Sequence, residues 1–203
     1  EVDSTVRFLT FADPLGWRIY RTTASFLPAK VVKELFPDAK FSIEHSLGTG
    51  FYCYFELNGV EGINDAQLAA IDQRMRELVA QDMPVERRKV RYEEAVALFE
   101  QQGLSDKVNL LRYRNPPKVV IFQCEGFADL SQGPMAASMG AISHFGLIRQ
   151  EPGFVIQFPD RSIPPRIPVL RQEPQLFKIF QEHKKWGRIL NVNTVGRLNE
   201  IIA

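Results

Sequence analysis

Hydrophobic residues recur every three to four positions in several segments of the chain, a spacing that is typical of helices with one buried face. The clearest segment begins at Asn64, where Gln67 completes a capping-box spacing and an apolar stripe follows. Residues 22–36 show a similar stripe that contains Pro28. Because an interior proline costs about 3 kcal/mol, we expect this helix to begin near Leu27. Further helices are predicted at 92–103, 105–111, 176–187 and 194–203.

Other segments alternate apolar and polar residues, or hold short apolar runs between turn residues, and these patterns predict strands. Residues 41–57, FSIEHSLGTGFYCYFEL, place a glycine-bearing turn between two such runs and predict a β-hairpin. Residues 1–20 also alternate, with a turn at DPLG, and predict either a second small hairpin or the last strands of a preceding domain. The expected fold class is therefore α+β, with an antiparallel sheet packed with helices. Shorter strands are predicted at 84–90, 118–124, 144–150 and 153–158.

The stretch FADLSQGPM, residues 127–135, follows the buried strand KVVIFQC and ends in Gly-Pro. This pattern predicts a strand that runs into a tight turn. A turn that places polar groups at the end of a buried strand is often located over a functional site. Yet this stretch holds no acid–base pair, no nucleophile beside a base and no metal ligand after Asp129.

Composition narrows the function classes. The 203 residues are 45% hydrophobic, which is enough for one core with at most a small appendage, and the formal net charge of +1 calls for neither nucleic acid nor membrane. Cys53 and Cys124 lie far apart, and the chain shows neither a signal peptide nor an apolar run of membrane-spanning length. We therefore expect a cytoplasmic protein with no membrane partner. The chain starts without Met and stops inside a predicted helix, so we expect a fragment of a longer protein.

No sequence motif for a P-loop, a dinucleotide fold, a serine hydrolase or a zinc protease is present. Of the three histidines, His45 lies beside Glu44 on a predicted strand, where neighbouring side chains point to opposite faces. The pair is therefore not an evident dyad, and contact with a ligand is a more natural role for His45 than catalysis. No group of His, Cys and Asp has the spacing of a metal site.

Several stretches, taken in order, resemble the second additional domain of threonyl-tRNA synthetase, which serves there for editing and is shared with alanyl-tRNA editing proteins. That family has RHSCAHLL at the start of a helix, NGFYYD in a hairpin, KKKVSWHEA after a further helix, and DMCRGPH before HHFKLM. The matching stretches are RTTASFLP, TGFYCYF, RRKVRYEEA, ADLSQGPM and SHFGLIR. Their order and spacing agree from about residue 21 to residue 160, which implies the fold of that editing domain.

In the editing family, the histidines of an HxxxH motif and the Cys and His of a CxxxH motif converge on one pocket, where they can bind a metal or position a water. The resemblance places Thr22, Phe26, Ser131 and Met135 at those four positions. Two of these side chains carry no base, and a hydroxyl without a base is a poor nucleophile at neutral pH. His144 remains from the SHF segment, but one imidazole cannot rebuild the site. We expect a pocket filled with apolar side chains, without catalytic residues, metal or deacylase activity.

A closer resemblance, to the long bacterial uridine kinase-like nucleoside kinases, is carried by DPLGWRIYRTTASFL, HSLGTGFYC and KWGRILNVNTVGRLNEII. In those proteins a ubiquitin-like TGS domain and this additional domain precede a P-loop kinase domain. The resemblance implies that residues 1–20 end or follow a TGS domain, that 21–170 form the additional domain, and that 171–203 lead to a kinase domain absent from this chain. It implies no cofactor here, but ATP and magnesium for the kinase domain.

Functions from different classes remain open. The favoured one is a non-catalytic accessory domain of an ATP-dependent uridine or nucleoside kinase, whose partners are its own kinase and TGS domains. An editing hydrolase with a rebuilt site would use His45, Ser131 and His144. An RNA-binding module would contact phosphates through the basic stretch, for which a solvated strand face is the simpler interpretation. That stretch contains Arg87, Arg88, Lys89 and Arg91.

A ligand pocket, for a small molecule or RNA, is expected between the helix that contains Thr22 and the turn that contains Ser131. Its position alone would place Arg21, His45 and Ser131 on the rim.

Overall fold

The computed structural model describes residues 7–114, 116–130, 133–170, 174–190, 192 and 201–202. The chain divides into two compact units, residues 1–169 and residues 170–203. The helices are α1 Pro14–Leu35, α2 Asp65–Ala80, α3 Tyr92–Gln101, α4 Ser105–Arg114 and α5 Pro174–Ile189, with a short 3-10 helix at Met139–Ala141. The strands are β1 Lys40–Leu47, β2 Gly50–Leu57, β3 Val60–Glu61, β4 Glu86–Arg91, β5 Lys118–Cys124, β6 Phe127–Leu130, β7 Gly146–Gln150 and β8 Gly153–Gln157.

Two antiparallel sheets form the first unit. One sheet has the order β1-β2-β8-β7, with β3 paired to the end of β2, and the other has the order β4-β5-β6. Every strand pair within them is antiparallel. The α+β class with antiparallel sheets packed with helices is therefore confirmed.

The hairpin predicted at 41–57 is confirmed as β1 and β2, joined by a turn in which Gly48 has a φ of 58°. Glu44 is an extra residue in β1, because Ile43 pairs with Cys53 and His45 pairs with Tyr52. This bulge bends the strand locally. The second unit contains the amphipathic helix predicted at 176–187, which is observed as α5.

The first helix is longer than its sequence suggests. We predicted that it starts near Leu27, but α1 begins at Pro14. Proline is tolerated in the first turn because the N–H that it lacks would have no partner within the helix. Pro28 lies inside the helix and is buried. The prediction was wrong because packing overrides the local cost: Leu27 and Val31, on either side of Pro28, are fully buried in the core.

Two further expectations near the chain's turns were also wrong. Within 7–20, the described part of the hairpin predicted at 1–20, no strand is formed, since DPLG begins a helix and residues 14–20 belong to α1. FADL is a strand rather than the start of a turn, because it pairs with β5 through a tight turn at Glu125 and Gly126. The tight turn predicted after FADL includes residues 131 and 132, which lie outside the described residues. The helix predicted at 194–203 lies almost wholly outside them as well.

The main core lies where α1 contacts both sheets. Its buried residues come from α1, α2, β2, β8 and the β5–β6 hairpin. A second cluster packs α3 and α4 against the other face of the smaller sheet, with Phe99 and Ile121 fully buried. Because both faces of β5 are covered, its continuous apolar run KVVIFQC is explained. The cores fix α1 between the two sheets.

Close backbone contact at the centre of the larger sheet gives a test of this packing. A Cβ atom added to Gly153 would lie 1.9 Å from the carbonyl oxygen of Cys53 on the neighbouring strand, whereas one added to Gly126 would meet no atom within 4 Å. We expect Gly153→Ala to lower the free energy of unfolding by about 3 kcal/mol, because backbone atoms must shift.

Gly126→Ala is the matched control and should change the free energy of unfolding by less than about 0.5 kcal/mol. Chemical denaturation of both variants measures the difference. Equal stability of the two variants would show that the strands β2 and β8 do not approach each other as described.

Candidate functional site

An open cleft of about 1260 Å³ lies in the first unit. One wall is a single stripe of α1, in which Arg18, Thr22 and Ser25 follow one another at helical spacing. Further lining comes from residues 37–43 with Phe51, from the α3–α4 connection, from β6 and from Arg161. The helix that contains Thr22, one of the two elements expected to border a pocket, therefore lines this cleft. The other element, the turn that contains Ser131, includes residues outside the described part of the chain.

The hydroxyl groups on this stripe are engaged with the helix backbone. Thr22 Oγ1 donates to the carbonyl oxygen of Arg18 at 2.9 Å, and Ser25 Oγ donates to that of Arg21 at 2.8 Å. In both cases the acceptor is a backbone carbonyl one turn earlier in the helix, and not a side chain that could accept a proton. Neither hydroxyl is therefore activated as a nucleophile, because activation requires a hydrogen bond to a general base.

The apolar residues at the predicted site line the cleft without filling it. Phe26 is buried and packs edge-on against Phe127, with ring centroids 5.2 Å apart. Met135 is partly buried against the same core. The expectation of a pocket filled with apolar side chains was therefore wrong: these residues cover part of an open cleft, and charged residues line much of the rest.

A buried threonine fixes the segment that follows Met135. Thr23 is fully buried, and its hydroxyl donates to the carbonyl of Ile19 and accepts from the backbone N–H of Ala136, both at 2.8 Å. The Thr23 hydroxyl thus both donates and accepts a hydrogen bond, which offsets the free-energy cost of burying a polar group. Thr23 thereby joins α1 to the chain just beyond the Gly-Pro turn.

Arg21 lies within a group of aromatic rings at the cleft wall. Its guanidinium carbon is 4.3 Å from the ring centroid of Trp17, 4.2 Å from that of Phe51 and 5.7 Å from that of Phe158. Burial lowers the pKa of Arg21, although an arginine remains charged at any physiological pH. Such stacking orients the planar guanidinium and stabilises its charge.

Asp129 and Lys107 form an ion pair that the sequence analysis did not predict. Lys107 Nζ lies 3.1 Å from Asp129 Oδ1, and both residues line the cleft. Burial raises the pKa of Asp129, although the Lys107 ammonium opposes this shift. No sequence signal joins a residue of α4 to one of β6, because their proximity depends on the packing of the second hydrophobic cluster.

The histidines considered in the sequence analysis do not line the cleft. His45 is stacked against Tyr52 of the neighbouring strand, with ring centroids 5.2 Å apart. His144 is exposed, and its Nδ1 lies 2.6 Å from Ser143 Oγ. Of the seven predicted site residues, the structure thus groups Arg21, Thr22, Phe26 and Met135 in one cleft.

Ser131, the remaining predicted site residue, lies outside the described residues. Among the residues that the structure does describe, no cluster of three His, Cys, Asp or Glu side chains could hold a metal ion. Within the same part of the chain, no helix is both long and apolar enough to cross a membrane.

Comparison with known proteins gives a consistent result. The chain is 34% identical over 149 residues to the threonine–tRNA ligase of Acetivibrio thermocellus, a match that covers 73% of this chain. It is 36% identical over 146 residues to that of Pelobacter propionicus, with 72% of this chain covered, and 35% identical over 148 residues to that of an Acidovorax species, also with 72% covered. This chain is similar to one part of the threonine–tRNA ligases. In each case it spans 23% of the relative's length, and no protein-family model matches it.

The similarity to threonine–tRNA ligases supports the synthetase part of the predicted resemblance. It covers about seven-tenths of the chain, in agreement with the extent of the matching motifs. It provides no evidence about a kinase. The kinase context, the TGS domain and the domain boundaries therefore stay predictions.

Proposed function

We propose that this chain is a non-hydrolytic accessory domain, similar to the editing domain of threonyl-tRNA synthetase, in a larger protein. The observation that carries this proposal is the chemistry of the cleft. The resemblance to the editing family assigns two histidines to α1, whereas the side chains there are Thr22 and Phe26. The first donates its proton to a backbone carbonyl and the second is packed against Phe127.

The carboxylates that line the cleft do not replace the missing bases. Asp129 is paired with Lys107, and Asp106 lies 3.7 Å from the same ammonium. Asp38 is the third acid of the cleft, and the hydroxyls of Thr22 and Ser25 bond to backbone carbonyls rather than to any of these three carboxylates. Without a base in contact with a nucleophile, and with no imidazole among the described residues of the cleft, the geometry supports binding rather than hydrolysis.

We further propose that the larger protein is an ATP-dependent uridine or nucleoside kinase, with ATP and magnesium bound by a separate domain. This proposal is supported by the resemblance of DPLGWRIYRTTASFL, HSLGTGFYC and KWGRILNVNTVGRLNEII to the long uridine kinase-like proteins.

The editing reaction tests the first proposal. We expect the 203-residue chain to release amino acid from seryl-tRNA and alanyl-tRNA no faster than buffer does, because no base contacts a nucleophile among the described residues of the cleft. An editing-competent threonyl-tRNA synthetase assayed in parallel is the positive control. Release above the buffer rate that is abolished by Thr22→Val would contradict the proposal.

Phosphorylation of uridine tests the second proposal. We expect the full-length protein to transfer phosphate from ATP to uridine in the presence of magnesium, and the 203-residue chain alone to transfer none. Radiolabelled ATP allows both reactions to be followed. A full-length protein that phosphorylates no nucleoside would remove the kinase assignment and leave the accessory-domain assignment standing.

RNA binding is a second candidate function, favoured by a row of cations on β4. Arg87, Lys89 and Arg91 are exposed and share one face of this strand, which forms an edge of the smaller sheet. In the part of the chain that the structure describes, no carboxylate forms a salt bridge with these three residues. Arg88, on the other face, is paired with Glu94. Phosphates could bind along this row.

A matched pair of triple variants tests this second function. We expect R87Q/K89Q/R91Q to weaken tRNA binding and to lower the slope of log affinity against log salt by about 2, because three phosphate contacts are lost. The control K178Q/K184Q/K185Q removes three charges from α5 and should leave the slope unchanged. Equal effects of the two variants, measured by filter binding, would show that β4 holds no specific phosphate site.

A further inference from the structure

Two N–H donors at the cleft wall have no acceptor. Trp17 Nε1 and Arg21 Nε are both buried, and neither forms a hydrogen bond with any described residue. They lie one helical turn apart on α1, with the guanidinium stacked over the indole ring, and both residues line the cleft. Because a buried donor without an acceptor costs roughly 1–3 kcal/mol, a ligand oxygen that reached either donor would stabilise this part of the cleft wall.

Arg21 also differs from several other arginines of this domain, because it forms no salt bridge with a described carboxylate. Arg74, Arg76 and Arg149 each form salt bridges with nearby carboxylates. In the described part of the chain, no carboxylate lies within salt-bridge distance of Arg21 or of the two other arginines that line the cleft. Those two are Arg18 and Arg161.

The balance of charge in the cleft is positive. Six basic side chains line it, of which three are arginines and three are lysines. Two of the lysines are already paired: Lys40 with Glu56, and Lys107 with Asp129. The acidic lining consists of Asp38, Asp106 and Asp129. The cations without a carboxylate partner are therefore Lys33, whose ammonium donates to the carbonyl oxygen of Pro37, and the three arginines. Arginines bind oxyanions through paired N–H groups.

We propose that this cleft binds a small phosphate monoester, with Arg21 as the main contact to the phosphate and Trp17 beside it. The ligand is a phosphate rather than a carboxylate because the surplus of unpaired arginines favours a group with a charge near −2. The aromatic rings around Arg21 hold the guanidinium in place before the ligand arrives, so little side-chain entropy is lost on binding. This inference goes beyond the accessory-domain proposal and does not depend on the kinase parent.

Trp17 provides a direct readout. The chain has two tryptophans, and Trp186 is the other, so Trp186→Phe leaves an indole signal from Trp17 alone. We expect titration of this 203-residue variant with uridine monophosphate, or with inorganic phosphate, to give a saturable shift of the Trp17 indole N–H resonance. Uridine, which lacks the phosphate, should give no such shift at the same concentrations.

Substitution of Arg21 tests the contact itself. We expect Arg21→Met to weaken the binding of both phosphate probes by about tenfold or more, because a charge-assisted hydrogen bond is lost, while Arg21→Lys should retain part of the affinity. Arg76→Met is the matched control: Arg76 also lies over an aromatic ring, 4.8 Å from that of Phe145, but outside the cleft. It should bind as the unsubstituted chain does.

Several results would overturn the proposal. These are the absence of a saturable shift with either phosphate probe, equal binding by the Arg21→Met variant, and binding of malonate as tight as that of phosphate. A shift caused only by single-stranded RNA would also overturn it, since the ligand would then not be a small molecule. Should Arg21→Met fail to fold, Arg18→Met, whose side chain is exposed on the same wall, should weaken phosphate binding several-fold and so keeps the test decisive.

Discussion

The burial of one face of α1 against both sheets is the constraint on which the rest of the structure depends. Ala24, Leu27 and Val31 are fully buried in a core that also contains residues from the two sheets and α2. Because a helix has only one such face, this packing also determines which residues point the other way. Arg18 and Thr22 line the cleft for that reason, so the core and the candidate site are set by the same helix.

Much of the fold could be predicted from the sequence, and the failures have physical reasons. The capping box at Asn64 and the hairpin turn at Gly48 are local signals, and both are present in the structure. The predicted start of α1 was wrong because the energetic cost of Pro28 in a helix is local, whereas the burial that outweighs this cost depends on residues distant in sequence. The Asn58–Gly59 dipeptide, between β2 and β3, is a further hairpin signal in the sequence, and both residues have positive φ in the structure.

The candidate site was less predictable than the fold. Its position beside Thr22 followed from motif order, but its openness and charge did not, because these depend on which chain segments face each other across the cleft. The Trp17–Arg21 spacing of one helical turn was visible in the sequence, whereas the approach of Phe51 and Phe158 was not. Likewise, only the fold brings Lys107 to Asp129.

Two hydroxyl groups of α1 hold the segment 136–144 against the helix. Thr23 binds the backbone N–H of Ala136, and the Tyr20 hydroxyl accepts from the backbone N–H of His144 and donates to its carbonyl oxygen. The segment is therefore attached to α1 at both ends. Residues 37–43, which line the cleft, take no part in either attachment. Substitutions in residues 37–43 would accordingly change the lining of the cleft and leave both attachments in place.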